Sequence, residues 1–489
     1  MRGSNCTACR AGTKEMNQRI IVIGGGIAGL AAANRVVELN KERSLGVEVL
    51  LLEASPQLGG TIATERMGDF LVEAGPDSFI TEKPWALRLC ERIGLSSRLV
   101  STQSAYQKIY VVHRGKLEPL PEGFFLLAPT RLAPFIKTPL FSWPGKFRMA
   151  SELLLPRGKI DDESLGSFVR RRFGAEALER VAQPLVGGIY ASDPDKLSLA
   201  ATMPRFKEME HRHRSVIWAM WVEQRRRARR REAGSGARWS LFVTLAGGMQ
   251  ELIDAIAGRL PAGSVCRNAP VTAVDYEPSK RSWQVATGDR VLHAHGVILA
   301  TPAFRAAEIL SSVANDAAAE LRQISYASTA TVSLAYRLED FPRKPDSFGF
   351  VVPAIERRKI MACTFSSLKY PGRAPADHIL LRAFVGGALQ PQLFDDKDAA
   401  MEKNVRSELA SLLGVTAQPL FGRVWRHPNS MPQYHVGHGA RIHRIEDSLK
   451  QFSTLALAGS AYHGVGISDC VRTGEEAADK IVGYLASSS

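Results

Sequence analysis

Ile21-Val22-Ile23-Gly24-Gly25-Gly26-Ile27-Ala28-Gly29-Leu30 is the stretch that decides the reading of this chain. Its β-branched start predicts a short buried strand from Arg19 to Ile23, and its glycines predict a tight turn. Glycines 24, 26 and 29 fit G-x-G-x-x-G. Gly24 permits the turn, Gly26 lets backbone approach a pyrophosphate, and Gly29 lets the following helix pack closely on the strand. That helix is predicted over Leu30 to Leu39, and Ile27 and Ala28 would stand at its phosphate-facing N-terminus. Val47 to Glu53 predicts the next strand. It ends on Glu53, 24 residues beyond Gly29, where a carboxylate accepts hydrogen bonds from ribose hydroxyls. Strand, glycine turn, helix, strand and acid in that order predict a dinucleotide-binding βαβ unit.

Outward from this unit, 489 residues are too many for one simple core and suggest two or three packed units. Composition is that of a globular chain, 45% hydrophobic and 23% charged, and no uncharged apolar stretch reaches 18 residues. The net charge of +14 suits an acidic partner, an anionic membrane face or an anionic small substrate. Six arginines between Arg225 and Arg231 supply much of it, and read first as a solvated helix face or loop and second as an anionic-lipid patch. Aromatic interleaving is missing there, so nucleic acid is not expected. Of six cysteines only Cys6 and Cys9 are paired as CxxC, without the second pair or histidines of a zinc site, so no metal and a reducing compartment are expected. The segment before Gln18 lacks the hydrophobic centre of a secretory signal. A helical, proline-punctuated region is predicted from about Pro84 to Pro204, a basic helical stretch to about Arg238, and a strand-rich region from Ser328 to Gly422.

The run Glu53-Ala54-Ser55-Pro56-Gln57-Leu58-Gly59-Gly60-Thr61 resembles the flavin-containing amine-oxidase superfamily, where a glycine pair passes close to the pyrophosphate. The C-terminal Gly459-Ser460-Ala461-Tyr462-His463-Gly464-Val465-Gly466-Ile467, ahead of a helix, resembles the loop that closes the flavin site there. Gly75-Pro76-Asp77-Ser78-Phe79 and Gly187-Gly188-Ile189-Tyr190-Ala191-Ser192-Asp193-Pro194 are similar to the signatures of protoporphyrinogen oxidases, with Ser192 in place of a glycine. Thr364-Phe365-Ser366-Ser367, Phe384-Val385-Gly386-Gly387, Met431-Pro432-Gln433-Tyr434 and Gly466-Ile467-Ser468-Asp469-Cys470 extend the match in order along nearly the whole chain.

The resemblance implies an α/β (α+β composite) protein. A Rossmann-like FAD-binding domain would use residues 18–84, 240–302 and 423–489. A helical membrane-associating domain would span 85–204, a basic connector 205–239, and a strand-rich substrate domain 303–422. It implies non-covalent FAD, held by Gly24, Gly26, Ile27, Ala28, Gly29, Glu53, Ala54, Gly59, Gly60, Thr61 and the Gly75, Pro76, Asp77, Ser78 segment. Val271 would meet the adenine, Trp425 would lie near the flavin, and Val465, Gly466 and Ile467 would face its pyrimidine edge. A porphyrinogen would be bound by Gly188, Val351 and a stacking Phe365, with Lys108 as the nearest cation for a propionate, where many relatives have an arginine. The implied reaction takes six electrons from protoporphyrinogen IX, with molecular oxygen as acceptor. Alternatives are coproporphyrinogen III oxidation, another oxidase of the superfamily, and a tetrapyrrole carrier without catalysis. No catalytic acid or base is assigned, because the flavin N5 carries the chemistry. Phe124 to Leu127 and Phe135 to Phe141 would touch a bilayer surface. The expected setting is cytoplasmic and peripheral to a membrane, with an organelle and a homodimer left open.

Overall fold

The computed structural model describes residues 18–125, 128–129, 131–158, 160–232 and 240–487, with the side chains at 125, 128–129, 132 and 226–232 left aside. Cys6, Cys9, the leader, the side chains of 125–127 and the guanidinium groups of Arg226–Arg231 therefore lie outside the described residues.

The first strand forms at Arg19–Ile23 and the next at Glu48–Leu52, paired in parallel from Arg19 opposite Glu48 to Ile23 opposite Leu52. Val265–Cys266, Gly296–Leu299 and Leu455–Leu457 complete a five-stranded parallel sheet with Arg19–Ile23 at its centre. Strands buried on both faces must be apolar along their whole length, and Ile20, Ile21, Val22 and Ile23 are all at most 3% exposed. Helix Ile27–Arg43 covers one face together with the C-terminal helix Ile467–Ser487, and these two helices make the most extensive helix pair of the fold. Segments far apart in the chain thus close one layer.

A seven-stranded sheet forms the second unit. Its order is Phe421–Pro432, Tyr326–Arg337, His378–Gly386, Ala362–Phe365, Gly349–Val351, Tyr110–His113 and Lys116–Pro119. Here the structure redraws the expected boundaries. Tyr110–His113 and Lys116–Pro119 come from the stretch assigned to the helical domain, and Phe421–Pro432 comes, from residue 423 on, from the stretch assigned to the FAD domain. Helices Ala303–Ile309 and Asn315–Arg322, expected with the substrate sheet, pack their alanine faces in the core beneath the parallel sheet. The physical reason is that strand pairing follows backbone hydrogen bonds between distant segments, which local composition does not record.

Helices between Leu132 and Glu232 make a third layer around Phe168, Phe173, Val181 and Phe206. Two of its anchors are buried charges. Arg172 and Glu152 are each 0% exposed and paired, and Glu152 also accepts from Ser215 Oγ (2.6 Å) and Val216 N (2.8 Å). Such a pair persists only because every remaining lone pair and proton finds a partner.

Candidate flavin and substrate cleft

The glycine turn opens helix Ile27–Arg43 with no side-chain cap and no acid in the first turn. Its leading N–H groups are therefore free for an anion. Two of the three motif glycines answer to crowding. A Cβ on Gly24, at φ +107°, would lie 2.5 Å from Ala300 O, and one on Gly29 would lie 1.9 Å from Gly24 O. Gly26 is different, because a Cβ there would meet nothing within 4 Å. Open space lies before that Cα, and it is bordered by Gly60, which holds the left-handed backbone at φ +62°. Gly59 N donates to Gly25 O at 2.9 Å, so the two glycine loops are stitched side by side. This is a cradle of bare backbone at a helix N-terminus, the arrangement that a pyrophosphate needs.

Glu53 is held in place by Gly25 N (2.5 Å) on one carboxylate oxygen and by Ser55 N (2.8 Å) on the other. Each oxygen keeps a lone pair toward the cleft. Asn268 N and Ala269 N bond Ser55 O and Glu53 O, which brings the approach to Val271 alongside the acid. Ala54 and Thr61 are exposed beside it. The bare backbone at Gly26 and the acid at Glu53 together fit the donor and acceptor needs of a dinucleotide.

The wall of the cleft runs on through Gly75, Pro76, Asp77 and Ser78. A Cβ on Gly75 would fall 1.8 Å from Thr61 O, so this wall leans directly on the second glycine loop. At its far end Ser468 Oγ donates to Ile80 O (3.3 Å), and Lys83 Nζ pairs with Asp469 (2.6 Å) at the start of the C-terminal helix. Val465 and Gly466 precede that helix and Ile467 opens it, and Tyr434 OH accepts from Gly464 N (2.8 Å) to hold the loop. Asp77 bonds Ser78 Oγ at 2.7 Å.

The seven-stranded sheet faces this wall. Residues paired directly across strands share one face. Trp425, Thr331, Phe384, Ala362 and Val351 form one such row, and Ser333, Arg382, Thr364 and Gly349 form the next. Thr331 Oγ1 donates to Ala74 O (2.8 Å) and Arg382 donates to Gly75 O (2.6 Å), which fixes this face toward the cleft. Val351, Thr364, Phe384 and Trp425 are partly exposed on it. Gly188, in helix Gln183–Tyr190, is exposed with nothing within 4 Å of a would-be Cβ. Gln433 Nε2 donates to Tyr190 O at the end of that helix (3.3 Å).

Two expected substrate contacts fall elsewhere. Phe365 is 2% exposed and packs edge-on against Phe350, in the core on the opposite face, with Met401, Val405 and Leu409. Strand alternation explains it, since the cleft-facing neighbour is Thr364 and the cleft-facing aromatic is Phe384. Lys108 is exposed and paired with Asp346 at 3.0 Å, a surface ion pair away from the cleft wall. The residues that the sequence reading missed are Thr364, Phe384, Arg382 and Lys369. Strand alternation is the signal for the first three, and it becomes usable only once register is known.

The description "flavin containing amine oxidoreductase" fits residues 27–482 of this chain. The coproporphyrinogen III oxidase of Bacillus subtilis is 36% identical over 477 residues, 96% of this chain and 99% of that protein. The human protoporphyrinogen oxidase is 30% identical, again over 96% of this chain and 99% of that protein. A solved structure from Exiguobacterium, provisionally named a protoporphyrinogen oxidase, superposes with a TM-score of 0.83 at 31% identity and covers 96% of this chain and 99% of that one. An uncapped helix over two stitched glycine loops, an acid at the second strand, and a match along nearly the full length lead to one conclusion: the chain belongs to the flavin-containing amine oxidoreductase family.

Proposed function

We propose that this chain is an FAD-dependent oxidase that converts a porphyrinogen to the aromatic porphyrin, with protoporphyrinogen IX as the substrate. The observation that carries this reading is the cleft itself. A flat, partly exposed strand face of Val351, Thr364, Phe384 and Trp425 stands opposite a flavin wall of Gly75 to Ser78, with the open backbone of Gly188 nearby. A slot with one largely apolar wall suits a flat macrocycle. When bound, FAD would supply hydride acceptance at its N5 for each two-electron oxidation of the macrocycle, with molecular oxygen as the final electron acceptor. Gly24, Gly26, Ile27, Ala28 and Gly29 hold the pyrophosphate, and Glu53 holds the ribose. Ala54, Gly59, Gly60 and Thr61 close over them, and Val271 borders the adenine. Gly75, Pro76, Asp77, Ser78 and Trp425 border the ring, and the amides at Val465, Gly466 and Ile467 stabilise negative charge at its pyrimidine edge. Gly188 offers its carbonyl to pyrrole N–H groups.

Coproporphyrinogen III is the second reading. Relatives bearing that name reach 36% and 37% identity, against 30% for the mammalian protoporphyrinogen oxidases. The purified FAD-loaded chain, given each porphyrinogen under air, decides between them by the rate of porphyrin fluorescence. Turnover of neither, with FAD retained, would overturn both.

The helical layer supplies the membrane contact of this reading, through a different surface from the one expected. Phe135, Leu140 and Phe141 are core residues at most 5% exposed, so the aromatic side chains of that segment are internal and only Ile136 among its large apolar side chains is exposed. Trp143, Phe147 and Leu154 are instead 61%, 71% and 79% exposed, with Lys137 exposed near them. Exposed aromatic and aliphatic tips beside a cation suit an interfacial contact. Among the described residues, no helix is long and apolar enough to cross a membrane.

A further inference from the structure

Strand His378–Gly386 carries an arginine that the chemistry above leaves unused. Arg382 is 4% exposed on the cleft-facing side of its sheet, between Ser333 and Thr364. One η nitrogen donates to Gly75 O at 2.6 Å, and the other lies 3.1 Å from the Asp77 carboxylate. One guanidinium therefore ties two residues of the flavin wall to the substrate sheet. Lys369 reaches Asp77 at 3.1 Å, and Arg373 lies 3.4 Å from Glu73. Three cations meet two carboxylates, so the cluster keeps at least one uncompensated positive charge. Burial pushes the Glu73 carboxyl up, against the opposing pull of Arg373. Against the desolvation of its own site, Asp77 is held below the usual carboxylate range by Lys369 and Arg382. The Nε of Arg382 and the hydroxyl of neighbouring Ser333 are buried without a partner. Native interiors rarely strand such groups, so they point to a partner beyond the chain's own atoms.

We propose that Arg382 is a positioning residue of the FAD site. Its fork fixes the Gly75–Asp77 wall on which the flavin ring rests, and the excess positive charge of its cluster favours the more negative, reduced cofactor. The inference rests on the assignment of Gly75 to Ser78 to the flavin ring made above.

The test compares FAD-loaded Arg382→Met and Arg382→Lys proteins with the parent, by FAD dissociation and by the flavin midpoint potential under dye-coupled reduction. The methionine variant should raise the oxidised-to-reduced ratio about tenfold at a fixed poise, a fall of about 30 mV for a two-electron couple. It should also bind FAD about tenfold more weakly. The lysine variant should bring the ratio back to within about threefold of the parent but not restore FAD affinity, because an ammonium cannot span Gly75 O and Asp77 as a fork does. A loaded methionine variant with parental potential overturns the inference alone, even if its FAD is looser. Should that variant fail to fold, the lysine variant decides, and parental FAD affinity in it overturns the inference. A parent chain that takes up no FAD overturns the reading of the site and this inference with it.

Discussion

At the scale of single residues, the glycine positions carry the plainest demands. A methyl group on Gly29 would sit 1.9 Å from Gly24 O, which is backbone and cannot swing aside. Gly29→Ala should therefore lift the helix off the phosphate loop and weaken FAD binding at least about tenfold by titration, with the fold retained by circular dichroism. These positions were legible from sequence because glycine is the one residue whose absent side chain is itself the signal. The substrate side was less legible. Val351 was found on the cleft face, but Phe365 lies on the other, because adjacent residues of a strand point opposite ways and nothing local says which way is in. Lys108 makes a matching test. Exposed ion pairs contribute about 0–1 kcal/mol, and this one engages Asp346 rather than the cleft. Lys108→Ala should leave the KM for porphyrinogen within about twofold. A KM raised tenfold would return the lysine to the site.

At the scale of elements, the βαβ unit could be read from one stretch because its pieces are contiguous and each has its own period. The seven-stranded sheet could not, since it draws strands from residues 110–119, 326–386 and 421–432. The helical layer shows a further limit. Phe135 to Phe141 and Trp143 to Phe147 both carry aromatic pairs, and only packing separates Phe135 and Phe141, buried with Phe141 stacked on Phe124, from the exposed Trp143 and Phe147. The two should respond differently to truncation. Replacing Trp143, Phe147 and Leu154 together by serine should abolish co-sedimentation with anionic vesicles and leave the melting temperature almost unmoved. Phe141→Ala should do the reverse, costing about 3–5 kcal/mol of stability with vesicle binding retained by the folded fraction. Vesicle binding that survives the triple replacement would remove this face from the membrane.

At the scale of the whole molecule, the three layers meet around Tyr434 and His438. Tyr434 OH donates to Ser460 O (2.7 Å) and accepts from Gly464 N, and its backbone carbonyl accepts from Ser198 N of the helical layer (2.7 Å). His438 stacks on the tyrosine ring with centroids 3.9 Å apart, and its Nε2 lies 3.2 Å from Tyr462 O, which requires the proton on Nε2. Its Nδ1 is buried without a partner, so a second proton would create an unpaired charge in the joint. Burial first, and then the nearby Arg441, depress its pKa to about 4 from an ordinary 6.5, while the bond to Tyr462 O works the other way. The sign follows from that depression. Below pH 6.5 the unfolded chain takes up a proton that the native joint refuses, so stability falls as pH drops and levels off only below about 4. At about 1.4 kcal/mol per pH unit, the full loss approaches roughly 3 kcal/mol. Because the same joint holds the loop at Gly464 to Ile467, FAD should be released along this acid limb. His438→Phe keeps the ring stack and removes the titration. Its urea-unfolding stability should therefore lose about one proton's worth of slope between pH 6.5 and 4, and its FAD release should shift to lower pH. An unchanged slope would place the acid sensitivity in other groups, of which His427, half-buried and depressed by desolvation despite its bond to Ala74 O, is the next to replace.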